Sequence, residues 1–250
     1  MIKVWASLLL VGIALFLSRI ERARLESDII IGTVRAFVQL LAIGYILDYI
    51  FDLRRVEYML LLLTAMVLVG AFTSSRRAFR KRQGFFMAAL GLGAGTALTI
   101  GLMVALKIIS TEPKFLIPFS GMVIGNSMRA CSILFERLTS EVRLSTPRIE
   151  AALALGATTA QAASAPMRAS FRASMIPILD TVKVVGLIQL PGAMTGMLIA
   201  GARPTEAIKY QIVIMYMILC AVSITVSLVL FLSRRMYFEP GHRLADTIAQ

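Results

Sequence analysis

A chain of 250 residues with 58% hydrophobic and only 16% charged residues, and a mean hydropathy of +0.81, has more apolar surface than an ordinary water-soluble domain. Its formal charge of +12 would suit a nucleic-acid ligand if lysine and arginine formed one stripe, but they sit in short clusters between long apolar runs, so nucleic acid is excluded. Two cysteines, Cys131 and Cys220, each inside an apolar stretch, support neither a disulfide framework nor a CxxC metal site.

In chain order, the first apolar run follows Lys3 and has the look of a secretory signal, but no small-x-small cleavage pattern precedes the polar stretch Ser18 to Asp28. It therefore counts as a span. A spanning helix needs roughly 20 apolar residues. Seven runs of about that length follow one another: Ile2 to Leu17, Ile29 to Leu47, Tyr58 to Phe72, Phe85 to Ile109, Phe115 to Phe135, Ile178 to Ala200 and Gln211 to Leu232. They are continuous and lack period-two alternation, which sets a membrane barrel aside. The expected fold is all-α, a polytopic membrane protein with one transmembrane domain over residues 1–250.

Cytoplasmic loops carry the excess of lysine and arginine. Alternate loops hold Arg19, Arg22 and Arg24; Arg76, Arg77, Arg80, Lys81 and Arg82; Arg137, Arg143, Arg148, Arg168 and Arg172; and Arg234, Arg235 and Arg243. The opposite loops hold only Lys3, Arg54, Arg55, Lys107, Lys114, Arg203 and Lys209. Sixteen against seven puts the amino terminus outside and the carboxyl terminus inside.

The longest connection, about residues 136–177, falls on the cytoplasmic side between spans five and six, and a loop of that length has structure of its own. Thr146 and Pro147 read as N-cap and first-turn proline, with Glu150 in the first turn favouring the helix dipole. Ala151 to Leu155 continue the helix, Gly156 permits a bend, and the alanine-rich stretch beyond forms a second short helix carrying Arg168 and Arg172.

Polar groups at bilayer depth are costly and therefore candidate functional residues. Arg35, with Gln39 one turn on, lies in span two, where snorkelling is the competing explanation. Asn126 and Ser127 fall near the middle of span five beside Gly121 and Gly125, with interhelical hydrogen bonding as the alternative. In span six, Gln189 precedes Pro191-Gly192, which removes a backbone donor and loosens the helix. Met122, Met128, Met194 and Met197 flank these two places, as soft-ion ligands or as packing. Asp180 and Lys183, three apart, can pair. Gly91 and Gly95, then Ala97 and Gly101, give span four two small-residue faces suited to close helix contact, within the bundle or in a homodimer. His242 is the single histidine, read as a solvated tail residue.

Glu150, Ala151, Ala152 and Gly156 form E-A-A-x-x-x-G, the first half of the coupling motif that bacterial ABC permeases offer to their ATPase. The I-x-L-P half is not at its usual spacing, since Ile176-Pro177 comes later. Further motifs follow in order: Gly121-Met122-Val123-Ile124-Gly125-Asn126-Ser127-Met128, Leu190-Pro191-Gly192-Ala193-Met194-Thr195-Gly196, Arg203-Pro204-Thr205-Glu206-Ala207 and Tyr210-Gln211-Ile212-Val213. On these the chain resembles, over nearly its whole length, the FetB/YbbM family of proposed iron-export ABC permeases, related to plant aluminium-tolerance permeases. The resemblance implies a seven-span permease that pairs with a separate cytoplasmic ABC ATPase, with export of iron or another metal as its task; the expected assembly is a homodimer with two copies of that ATPase in the plasma membrane.

No G-x-x-x-x-G-K-[ST] occurs, so ATP and Mg are expected on the partner and no cofactor on this chain. The candidate coupling residues are Glu150, Ala151, Ala152 and Gly156. Arg35, Gln39, Asn126, Ser127, Met128, Gln189, Pro191, Met194 and Thr195 are the candidate translocation pathway. The rival readings are a gradient-driven transporter or channel, which would prefer carboxylates buried at mid-membrane, and a membrane scaffold whose long cytoplasmic segment docks a partner.

Overall fold

The computed structural model describes residues 2–21, 25–53, 56–239 and 243–244. His242 lies outside the described residues, as do Arg22, Arg24, Arg54 and Arg55. The described residues form ten helices: α1 (Ile2–Ile20), α2 (Glu26–Leu53), α3 (Val56–Ser75), α4 (Lys81–Ala105), α5 (Pro113–Leu144), α6 (Thr146–Ala154), α7 (Thr159–Ala162), α8 (Ser164–Val184), α9 (Gly192–Ile199) and α10 (Pro204–Tyr237). Two-residue strands β1 (Phe238–Glu239) and β2 (Arg243–Leu244) pair antiparallel after α10. The all-α class expected from the apolar runs is the class found. Four helical segments among the described residues are long and apolar enough to cross a bilayer: Glu26–Leu47, Val56–Ser75, Lys81–Ala105 and Pro204–Arg234. A shorter apolar stretch covers Leu8–Ile20. The chain is a multi-pass membrane protein.

Two compact units divide the chain at residue 55. The first is α1 packed on α2. The Leu25 amide donates to Ser18 Oγ at 3.3 Å, and Glu26 and Asp28 occupy the first turn of α2, where the helix dipole favours them. Large apolar side chains stay exposed on both helices between Leu8 and Leu47, Leu9 at 75% and Tyr45 at 78% among them, as befits helices solvated by lipid.

In the second unit α10 packs against α4 and α5, while α5 also packs against α3 and α8. Small residues set how closely the helices approach. A Cβ on Gly91 would sit 2.4 Å from Val229 Cγ2, and one on Gly95 would sit 2.1 Å from Thr225 Oγ1. The Gly91/Gly95 face anticipated for tight contact thus receives α10 inside the bundle. The Ala97/Gly101 face does not: both residues are exposed, and nothing lies within 4 Å of a Cβ on Gly101.

The 32 residues of α5 extend about 48 Å, well beyond a hydrocarbon core of about 30 Å. Its carboxyl-terminal turns join a second apolar cluster of Leu138, Val142, Ile149, Ala163, Met167, Met236, Tyr237 and Leu244. Tyr237 ties this end together, stacking on Phe79 with ring centroids 5.8 Å apart and sharing a 3.0 Å hydrogen bond with Thr139 Oγ1. Burial pushes its hydroxyl pKa up to about 12, against the smaller lowering effect of the Thr139 bond. Because the folded value lies above the unfolded value of about 10, this contribution is fully present below pH 10 and is lost as pH rises from about 10 to 12. Stability of the detergent-solubilised protein should therefore fall across that window, by up to about 3 kcal/mol. Tyr237→Phe should flatten the decline, read as unfolding midpoint against pH; an unchanged slope would contradict the assignment.

Two boundaries differ from the sequence reading. The stretch 136–177 is no loop: α5 runs to Leu144, and α8 starts at Ser164 and continues through Pro177 to Val184. Arg168 and Arg172 therefore sit on the long helix of span six, not on a separate short one. Span six itself is interrupted from Val185 to Pro191, with Gly186 at φ +83 turning the chain and Pro191 capping α9.

Candidate translocation and coupling sites

Helix α6 has two unlike faces because its apolar residues recur at helical spacing. Ile149 is 1% exposed within the cluster at the end of α5, and Leu153 packs against the same cluster. The opposite side presents Arg148, Glu150, Ala151 and Ala154, with Ala152 half-buried. Leu144 just before the helix and Leu155 just after it are 77% and 89% exposed. Gly156 ends the segment at φ +86, where a Cβ would meet nothing within 4 Å but an L side chain would be strained. Beyond it, Thr158 and Gln161 form a reciprocal capping box on α7. Of the four predicted coupling residues, Glu150 and Ala151 are exposed on this anchored helix, Ala152 is half-buried on it, and Gly156 lies just past its end.

The span-five candidates are pulled apart, since successive helical residues point about 100° from one another. Ser127 is fully buried inside the bundle with no partner for its hydroxyl. Met128 faces α3, its Cβ 3.7 Å from where a Cβ on Gly70 would be. Asn126 lies on a different side, half-buried, its Nδ2 donating to the Met122 carbonyl at 2.8 Å.

At the span-six break, the Gly186 amide donates to the Gln189 carbonyl at 3.0 Å, and the Leu187 and Ile188 amides to the Val184 carbonyl. The turn therefore satisfies several of its own backbone groups. Leu187 and Ile188 at its tip are 89% and 84% exposed, and the Gln189 side chain is exposed. Pro191 holds the N-cap position of α9; its carbonyl accepts from Thr195 through both the amide, 3.0 Å, and Oγ1, 3.2 Å. Met194 is buried. Below the break, Lys183 Nζ and Asp180 Oδ1 are 3.5 Å apart, the pairing their spacing suggests, on exposed side chains where it contributes little. Arg35 and Gln39 belong to the first unit, both exposed on α2.

The sequence reading missed Arg129, an exposed arginine inside the apolar run of span five, one turn after Asn126. Its signal was plain: a lone cation in an otherwise uncharged span. Also missed was the ion pair between Arg77, just after α3, and Glu136 of α5, which links two helices at the α6 end of the bundle. Buried hydroxyls without partners, on Thr96, Thr99, Ser120 and Thr225 as well as Ser127, escape any reading of hydropathy because neighbouring aliphatics mask them.

Residues 1–238 match the family described as Uncharacterised protein family (UPF0014). The chain belongs to that family. Among its relatives, UPF0014 membrane protein STAR2 of Oryza sativa subsp. japonica is 37% identical over 99% of this chain and 87% of its own. Protein ALUMINUM SENSITIVE 3 of Arabidopsis thaliana is 36% identical over 98% and 89%. The protein titled "Probable iron export permease protein FetB" of Escherichia coli (strain K12) is 33% identical over 96% and 93%. The resemblance drawn from the ordered motifs is borne out along nearly the full chain. No solved structure matches.

Proposed function

We propose that this chain is the membrane-spanning permease subunit of an ATP-binding-cassette transporter, exporting iron or another metal ion and energised by a separate ATPase that holds ATP and Mg. The observation that carries this reading is α6: one face is held by Ile149 in an apolar cluster and the other is free, with Glu150 and Ala151 exposed. A short helix so mounted transmits force from a docked protein to the ends of α5, α8 and α10, whose residues make the same cluster. Small alanines allow close approach and the carboxylate fixes an angle. The FetB title names iron export for that relative; here iron or a related metal is the working cargo.

In this reading α6 faces the cytoplasm, the amino terminus lies outside, seven spans cross the plasma membrane, and two copies of the chain pair with two ATPases. Closure of the ATPases on ATP moves α6, and the α5 and α8–α9 segments rearrange around Asn126, Gln189 and Pro191. The test is affinity capture of the solubilised chain from its native membrane, with identification of partners and their hydrolysis. A soluble ATPase should co-purify, and Glu150→Arg should weaken its retention by about tenfold, as loss of one positioning charge contact does. Capture without any ATPase, after crosslinking in mild detergent, would sink the proposal.

A further inference from the structure

We infer that Arg129 is an anion-binding position on the transport pathway, so that the cargo crosses carrying negative charge; this deepens the permease reading above and rests on it. Arg129 lies sixteen residues after Pro113 and seven before Glu136, about 24 Å and about 10 Å along α5. It is exposed, with no hydrogen-bond or ion-pair partner among the described residues. A guanidinium turned to lipid at that depth is costly, so its face of α5 meets water or protein. Snorkelling is a poor remedy. Cα–Cβ bonds tilt toward a helix's amino terminus, whereas the nearer surface for Arg129 lies toward the carboxyl end of α5.

The apolar runs of a second copy would offer only one carboxylate as counter-charge. Of the 14 acidic residues, only Asp180 falls inside an apolar run long enough to span, and it is paired with Lys183. Glu136 and Glu141 lie on α5 beyond its apolar run, and Glu136 is paired with Arg77. What remains is a ligand. Guanidinium presents a planar fork that suits phosphate and carboxylate oxygens, and Asn126, one turn away, keeps a second Nδ2 hydrogen beyond the one given to Met122. Among the described residues no three His, Cys, Asp or Glu side chains come together to strip and hold a bare metal ion. A guanidinium repels such an ion. A metal would pass this point as a complex whose carboxylate or phosphate ligands leave it net negative.

The experiment is equilibrium dialysis of the purified chain, in phospholipid nanodiscs and in phosphate-free maltoside detergent, against labelled pyrophosphate, citrate, ferric citrate and ferrous ion alone. Pyrophosphate or the citrates should bind in both settings, with about tenfold weaker binding in Arg129→Gln and partial recovery in Arg129→Lys, which restores the charge but not the fork. Arg203→Gln, an exposed charge in the opposite loop, should bind like wild type. Equal anion binding in wild type and Arg129→Gln, or saturable binding of ferrous ion with none of the anions, would overturn the inference. So would phospholipid retained by the maltoside-purified chain through Arg129 and not displaced by pyrophosphate, which would assign the residue to a headgroup. Capture of the ATPase by wild type is scored separately: its absence defeats the permease reading, whereas its presence with no anion binding defeats only this one.

Discussion

Gly95→Ala is expected to lower the unfolding free energy by about 1–3 kcal/mol despite giving α4 a better helix former. The propensity gain is at most about 1 kcal/mol. Against it stands a Cβ placed 2.1 Å from Thr225 Oγ1, 3.2 Å from the Ala221 carbonyl oxygen and 3.3 Å from Thr225 Cβ. Rotating the threonine relieves only the first contact; the other two belong to backbone and Cβ, so α4 and α10 must separate. Gly91→Ala meets Val229 Cγ2 at 2.4 Å and should behave alike. Gly101→Ala, with nothing within 4 Å, should be neutral or stabilising. Unfolding midpoints in one detergent check the contrast, and equal midpoints for all three variants would mean that the helices do not meet through these glycines.

Ile149→Ala should have the second large effect, and a more local one. Removing a side chain that is 1% exposed costs about 2–5 kcal/mol where the site does not collapse. Nine residues are too few for a helix to hold itself in water, where about 12–15 are needed, so α6 depends on this anchor. Amide exchange across Thr146–Ala154 should accelerate while α4 and α10 stay protected, and ATPase capture should fall with it. Glu150→Arg, on the exposed face, should change stability by no more than about 0.5 kcal/mol. Unaltered exchange in Ile149→Ala would show that α6 is held by something else.

The apolar runs made the helical class legible because the cost of placing a backbone in lipid is local and additive along the chain. The E-A-A-x-x-x-G stretch was legible for a similar reason: a first-turn proline, alanines and a glycine at φ +86 are short-range instructions, although Ser145 and not Thr146 holds the N-cap position, Thr146 Oγ1 donating instead to the Val142 carbonyl, and Glu150 falls past the first turn. Pro177 misled, since a proline reads as a boundary, yet α8 runs through it as α5 runs through Pro118. The extent of the span-six break was hidden as well. Pro191 marked its end, but its start depends on Gly186 adopting φ +83, which an apolar segment does not announce. Asn126, Ser127 and Met128, adjacent in sequence, parted company because which side of α5 faces α3, which faces the bundle and which stays open is decided by neighbouring helices.

The burial of Leu244 beneath α6 has a practical side. It ties the last described residue, six positions before Gln250, to the same cluster that seats Ile149. A substitution that shrinks Leu244 should therefore loosen the seat of α6 from a position far along the chain from it.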